Sequence, residues 1–209
     1  SLGSEGGLSS HYLVPEPNDT SYQSNKLSVL QLVDESYRAW HAGKSYWQGR
    51  EGLNDSSIGI EIVNVPQCQY HADDTINNRY GAKSECDYPR FDPQQVTLVI
   101  ALLQDILTRH PDIHPTAIIG HADIAPQRKS DPGPRFPWQQ LYDAGIGAWF
   151  DPAVQQAYLT TFTQHQPDVF WLQQALDKYG YQVRLTGQLD SYTSNVISAF
   201  QMHFLPQHV

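Results

Sequence analysis

The stretch Gly120-His121-Ala122-Asp123-Ile124-Ala125-Pro126-Gln127-Arg128-Lys129-Ser130-Asp131-Pro132-Gly133-Pro134 decides how the rest of this chain is read. It follows the apolar run Thr116-Ala117-Ile118-Ile119, which predicts a short buried strand. Pro126 and the Asp131-Pro132-Gly133-Pro134 cluster disfavour regular helix or sheet, so a fixed loop at a strand end is expected. Rigid scaffolds carry much of their chemistry on such loops. This one presents His121, Lys129 and Asp131. A neutral imidazole and a carboxylate are two of the three protein ligands of a hydrolytic zinc, with water in the open position. Lys129 precedes Asp131 by two residues, so an extended backbone points both to the same side. The same residues also suit a solvated histidine and an Asp-Pro-Gly turn in which the aspartate bonds its own backbone.

Outward from this loop, 209 residues suffice for one medium domain plus a small one. A hydrophobic share of 40% and a charged share of 17% are those of a globular protein. A net charge of −9 without any basic cluster argues against a nucleic-acid binder and leaves a neutral, glycan-like or small peptide ligand. No apolar run approaches the roughly 20 residues of a membrane helix, so no transmembrane segment is expected. The first seven residues have neither the basic nor the apolar region of a signal peptide. Cys68 and Cys86 stand 18 apart in a polar segment; they suit a disulfide in an oxidising compartment or two thiols in a reducing one.

Strands are predicted over 11–14, 27–33 and 58–63, with a Pro-, Asn- and Ser-rich loop at 15–26. The segment 37–55, carrying Trp40, Tyr46 and Trp47, reads as irregular and surface-lining. Glu61 lies inside the apolar run Ile58-Gly59-Ile60-Glu61-Ile62-Val63, where an unpaired carboxylate is costly, so burial and a raised pKa are expected of it. Residues 64–91 form a polar excursion. Asp92 as N-cap, Pro93 at the first position and Gln95 closing a capping box start a helix over 93–109. A short helix follows at 137–144, ended by Gly145. These elements predict an α/β domain, a mixed central sheet flanked by helices, ending near residue 150. Residues 151–166 read as a partly helical connecting segment. Two further helices, capped by Asp168 and Asp190, carry the stripes Val169, Leu172, Leu176, Tyr179 and Val196, Ile197, Phe200, Phe204, a small all-α module over 167–209.

The motif at 121–134 resembles the zinc-binding loop of the type-2 family of N-acetylmuramoyl-L-alanine amidases. The resemblance continues in Ser10-His11-Tyr12-Leu13-Val14-Pro15, Ala39-Trp40-His41-Ala42-Gly43, Leu53-Asn54-Asp55-Ser56-Ser57-Ile58-Gly59-Ile60-Glu61 and Phe136-Pro137-Trp138-Gln139-Gln140-Leu141, in the family's order. The tail, with Trp171-Leu172-Gln173-Gln174-Ala175-Leu176, Tyr179-Gly180-Tyr181, Thr186-Gly187-Gln188-Leu189-Asp190 and Ala199-Phe200-Gln201, resembles the three-helix peptidoglycan-binding domain. That domain has another loop and helix beyond what matches here, so the module is expected to be incomplete and to lean on the first domain.

The resemblance implies a zinc hydrolase that cuts the bond between N-acetylmuramic acid and L-alanine in peptidoglycan or muropeptides, working as a monomer in the periplasm or cell envelope. It also implies an outer-membrane anchor in a segment preceding Ser1, and favours the disulfide. His121 and Asp131 would hold zinc, Glu61 would be the general base and Lys129 the electrophilic helper. Trp40, His41 and Asn54 would line the substrate groove. The family's first zinc ligand is a histidine on a strand upstream of the Ser10–Pro15 motif, and no histidine precedes His11 here. His11 and His41 match positions that do not bind metal. A recognition protein that binds muropeptides without cutting them, or a zinc peptidase acting on the stem peptide, would fit the same residues.

Overall fold

The computed structural model describes residues 7–17, 19–22, 24, 26–69 and 85–209. Among the described residues the central sheet is mixed and three-stranded. β1 (Tyr12–Val14) pairs antiparallel with β2 (Leu30–Gln31) and parallel with β5 (Ile60–Ile62), with Leu13 opposite Glu61. Between β2 and β5 a two-residue hairpin joins β3 (Tyr46–Trp47) to β4 (Arg50–Glu51), so the segment expected to be irregular holds a small sheet. Its turn needs left-handed backbone at both central residues, found at Gln48 (φ 46°) and Gly49 (φ 83°). β6 (Gln67–Gln69) and β7 (Glu85–Asp87) pair antiparallel, with the backbone of Cys68 opposite that of Cys86. The side chains of both cysteines, and with them the expected disulfide, lie outside the described residues.

Helix α1 (Pro93–Arg109) begins as predicted: Asp92 Oδ1 accepts from the Gln94 amide at 2.8 Å. The capping box does not close. Gln95 is 1% exposed, and its side-chain amide instead donates to the carbonyls of Val14, Pro15 and Val63 at 3.3, 3.2 and 2.8 Å. Carbonyls at the ends of β1 and β5, cut off from water, need that donor more than the helix start does. Val99, Leu102 and Ile106 of α1 pack on Tyr12 and Val14 of the sheet and on Phe136, Trp138, Leu141 and Ile146.

The strand expected at 116–119 is absent. Pro115–Ala117 forms a 3-10 turn, and Ile118 is extended without joining a ladder. Pro115 supplies no N–H, and the His114 side chain captures the Thr116 amide, so the segment starts as a turn. The loop that follows opens with a single helical turn, α2 (His121–Ile124). Helix α3 (Trp138–Asp143) ends where Gly145 takes φ 81°. The connecting segment is more regular than expected: Asp151 caps, and Pro152 starts, a 13-residue helix α4 (Pro152–Gln164) with no buried residue.

Helices α5 (Val169–Tyr179) and α6 (Ser191–Phe204) are capped by Asp168 and Asp190. Leu176, Tyr181, Val196 and Ala199 from this part share one core with Ala42, Trp47, Leu53 and Ala122. Trp47 meets the Tyr181 ring edge-on at 5.0 Å, and its indole N–H donates to the Thr116 carbonyl. The C-terminal helices are therefore built into the fold of the first part.

Glu35 fastens the end of α1 to the sheet. It accepts from the Tyr12 hydroxyl at 2.7 Å, from His110 Nε2 at 2.7 Å and from the forked guanidinium of Arg109. The Arg109 hydrogen bond, opposed by burial and helped by His110 and Tyr12, pulls its carboxyl from 4.5 down to about 2. A carboxyl depressed in the folded state stabilises it above the unfolded pKa and loses that contribution as pH falls through the folded value. Glu35→Gln is expected to cost about 1–3 kcal/mol at pH 7. In melts followed by circular dichroism, the gap from the parent should narrow below pH 4.5 and close near pH 2.

Candidate active site

The loop 120–134 is folded by its own amides. Ala125 N–H closes α2 on the His121 carbonyl, and the amides of Arg128 and Lys129 share the Ala125 carbonyl. The chain then returns, and the Ala122 amide donates to the Asp131 carbonyl at 2.8 Å. That bond fixes two side chains ten residues apart, leaving His121 Nδ1 at 3.0 Å from Asp131 Oδ2. Lys129 Nζ stands 4.0 Å from Asp131 Oδ1. Partial burial raises the Asp131 pKa, but the hydrogen bond and charge of His121, together with the Lys129 ammonium, outweigh it and hold the carboxyl below its usual value.

The other face of His121 is pinned. Its Nε2 lies 3.3 Å from the Ala42 carbonyl, which also accepts from Arg128 Nη2. Arg128 donates to the Lys44 carbonyl through Nε and Nη2 at 3.0 and 2.7 Å. A cation that displaces the proton between Nδ1 and the Asp131 carboxylate would be held by both groups. An imidazole oriented by a backbone carbonyl is a common arrangement for a metal-ligating histidine. The donor set thus fits two positions of a zinc site. Among the described residues no third His, Cys, Asp or Glu completes a metal-holding group.

The pair opens on a groove of about 380 Å³ that runs along β5 and is also lined by His41, Glu61 and Tyr88. Its floor is apolar, with Ile60, Leu103, Ile118 and Phe136 among the lining residues. Glu61 is exposed, contrary to the burial expected from its apolar neighbours. Strand alternation is the reason: Ile60 and Ile62 take one face of β5 and Glu61 takes the other. His41 has its imidazole pKa lowered, chiefly by burial, against the raising effect of its bond to the Ser57 carbonyl.

The remaining residues singled out in the sequence are placed differently. Asn54 turns away from the groove, its Oδ1 accepting from the amides of His41 and Ala42 at 3.0 and 2.7 Å. It shapes the segment that pins His121. Trp40 is 51% exposed, with the Arg38 guanidinium 4.9 Å above its ring, and is not among the residues lining the groove. His11 is buried, with Nδ1 accepting from the Gly59 amide and Nε2 donating to the Tyr37 carbonyl, so both nitrogens are committed to backbone.

Two residues that the sequence reading passed over matter here, Asp123 and Arg128. A carboxylate flanked by Ala122, Ile124 and Ala125 was the signal for the first. Nothing local marks the second, whose partners lie 84 and 86 residues away.

Gly59 sits against His41, and a Cβ there would come within 2.2 Å of the imidazole. Gly59→Ala is expected to displace His41 from the groove wall and lower stability by about 1–3 kcal/mol, read as a moved His41 ring resonance by NMR and a lower melting temperature.

The family model for N-acetylmuramoyl-L-alanine amidase matches residues 3–134, and that for a peptidoglycan binding domain matches residues 165–207. The N-acetylmuramoyl-L-alanine amidase AmiD of Escherichia coli is 43% identical over 200 residues, covering 95% of this chain and 67% of AmiD. The 1,6-anhydro-N-acetylmuramyl-L-alanine amidase AmpD of the same organism is 42% identical over 113 residues, 54% of this chain and half of AmpD. Among solved structures, Pseudomonas aeruginosa AmpDH3 in complex with anhydromuramic pentapeptide has a TM-score of 0.85 at 42% identity, covering 97% of this chain and 75% of that one. E. coli AmiD in complex with anhydro-N-acetylmuramic acid-L-Ala-D-gamma-Glu-L-Lys has a TM-score of 0.74 at 39% identity, covering 97% and 73%. With its mixed sheet, flanking helices and paired His121 and Asp131, the chain belongs to the N-acetylmuramoyl-L-alanine amidase family and carries a peptidoglycan-binding domain at its C-terminal end.

Proposed function

We propose that the chain is a zinc-dependent N-acetylmuramoyl-L-alanine amidase that hydrolyses the amide between N-acetylmuramic acid and L-alanine of the stem peptide. The observation that carries this reading is the 3.0 Å approach of His121 Nδ1 to Asp131 Oδ2 on the wall of a groove that also holds Glu61. In this reading residues 1–150 form the amidase domain, 151–166 the connection and 167–209 a wall-binding module. A peptidoglycan substrate puts the protein in the periplasm or cell envelope. Among the described residues no helix is long and apolar enough to cross a membrane.

His121 and Asp131 supply two zinc ligands, with the third unassigned. Zinc, when bound, lowers the pKa of its water to about 7. Glu61, on the solvent-facing side of β5, takes the proton of the attacking water and passes it to the leaving amine. Lys129, beside Asp131, offers a cation to the oxyanion that develops in the transition state. His41 and the apolar floor orient the muropeptide along the groove.

Incubating the chain with a purified muropeptide, with added zinc and with a chelator, tests the reading by mass spectrometry. Free stem peptide should be released and the chelator should abolish its release. Glu61→Gln is expected to lower kcat about 100-fold or more, and Lys129→Ala about 10- to 100-fold. Muropeptide bound but left intact in the presence of zinc would make the chain a recognition protein. A cut within the stem peptide would make it a peptidase.

A further inference from the structure

Directly behind the His121–Asp131 pair lies a buried carboxylate that the proposed chemistry does not use. The side chain of Asp123 is 3% exposed. Burying an ionised carboxylate costs on the order of several kcal/mol unless hydrogen bonds compensate it. Asp123 has three donors. Its Oδ2 accepts from the Gly120 amide at 2.8 Å and from His203 Nδ1 at 3.0 Å, and its Oδ1 accepts from the Tyr181 hydroxyl. Tyr181 follows α5 and His203 lies on α6, so two of the three donors come from the C-terminal helices, 58 and 80 residues along the chain.

Both donors are held rigidly. Tyr181 is 0% exposed, and burial together with the Asp123 charge raises its pKa well above the usual tyrosine value. The His203 ring is sandwiched between Trp138, stacked at 3.8 Å and 13°, and Phe204 at 4.1 Å and 10°. Its Nε2 has no partner among the described residues, so its polar contact goes to Asp123.

We propose that Tyr181 and His203 are positioning residues for the candidate active site, acting through Asp123 on the relative placement of His121 and Asp131. The path is short. The Asp123 oxygen that takes the His203 N–H also holds the amide of Gly120, the residue before His121. Two residues on, the Ala122 amide donates to the Asp131 carbonyl. The turn has no slack at Gly120, where a Cβ would meet Pro132 at 2.7 Å and Trp138 at 3.4 Å. Without its C-terminal donors, Asp123 keeps one bond for a buried charge, and the turn must open towards water, taking His121 with it. The C-terminal module is thereby part of the site's framework as well as a wall-binding candidate. The proposal rests on the zinc-amidase reading.

The test uses the full chain and the variants Tyr181→Phe, His203→Phe, His203→Asn and Val196→Ala. Val196 is 0% exposed in the same helical part, and its replacement weakens that packing without removing a donor to Asp123. Zinc affinity is measured by competition with a chromophoric chelator, kcat and KM on a muropeptide, and thermal unfolding by circular dichroism. Hydrogen exchange at the Gly120 and Ala122 amides is followed in metal-free protein. At temperatures where each variant is folded, Tyr181→Phe and His203→Phe are expected to weaken zinc binding about tenfold and to lower kcat more than they change KM. His203→Asn, with an amide N–H near the position of Nδ1, should recover most of the loss. Val196→Ala should lower the melting temperature and leave zinc affinity as in the parent.

Parent-like zinc affinity in both clamp variants, or an equal loss in Val196→Ala, would overturn the proposal in favour of a purely structural contact. If the parent neither binds zinc nor cuts the muropeptide, the amidase reading fails separately. The clamp is then judged on exchange alone: faster exchange at Gly120 and Ala122 in His203→Phe upholds it, and unchanged exchange refutes it.

Discussion

The carboxylate of Asp123 organises this molecule around a buried charge. An ionised group with almost no contact with water has to be surrounded by donors, and here one comes from its own turn and two from helices near the end of the chain. That requirement links the loop bearing His121 and Asp131 to α5 and α6 more tightly than apolar contact alone would. The shared core of Trp47, Ala122, Tyr181, Val196 and Ala199 supplies the area, and Asp123 supplies the registration. Hydrophobic burial is tolerant of small slips, whereas a buried hydrogen-bonded charge is not.

A second constraint works from the opposite side of the loop. Arg128 and Asn54 hold the carbonyl and amides of the segment around Ala42, and that segment takes Nε2 of His121. The imidazole is therefore fixed from two directions, through the backbone turn closed by Asp123 and through the carbonyl held by Arg128. Its remaining nitrogen can face only Asp131 and the groove. A site assembled by backbone carbonyls and amides needs few specialised side chains, which is why so short a loop serves.

The sheet sets where the acid stands. β5 is three residues long, and its parallel pairing with β1 aligns Glu61 with Leu13. The pleat then turns Glu61 outward between two inward-facing isoleucines. Read as a string, Ile-Glu-Ile within an apolar run suggests a buried carboxylate; read as a strand, the same alternation keeps the carboxylate in reach of solvent. Gln95 carries a similar lesson. Its position beside an N-cap suggested a capping box, yet three carbonyls at the ends of β1 and β5 claimed its amide. At Gln95 the local rule gave way to partners that no local window contains.

Much was legible from the residues alone, because the signals were local. Asp92, Asp168 and Asp190 cap the helices they precede, Gly145 and Gly180 end helices with positive φ, and the apolar spacing of α1, α5 and α6 marks their buried faces. The motif at 121–134 singled out His121 and Asp131 as a pair. What the tertiary structure alone decided was long-range. It chose the backbone partners of Gln95 and Arg128. It also delivered Tyr181 and His203 to Asp123 across 58 and 80 residues. Caps and periodicity are properties of neighbouring residues, so a sequence determines them by itself. The compensation of a buried polar group is a property of the closed fold, and only packing determines which distant donor reaches it.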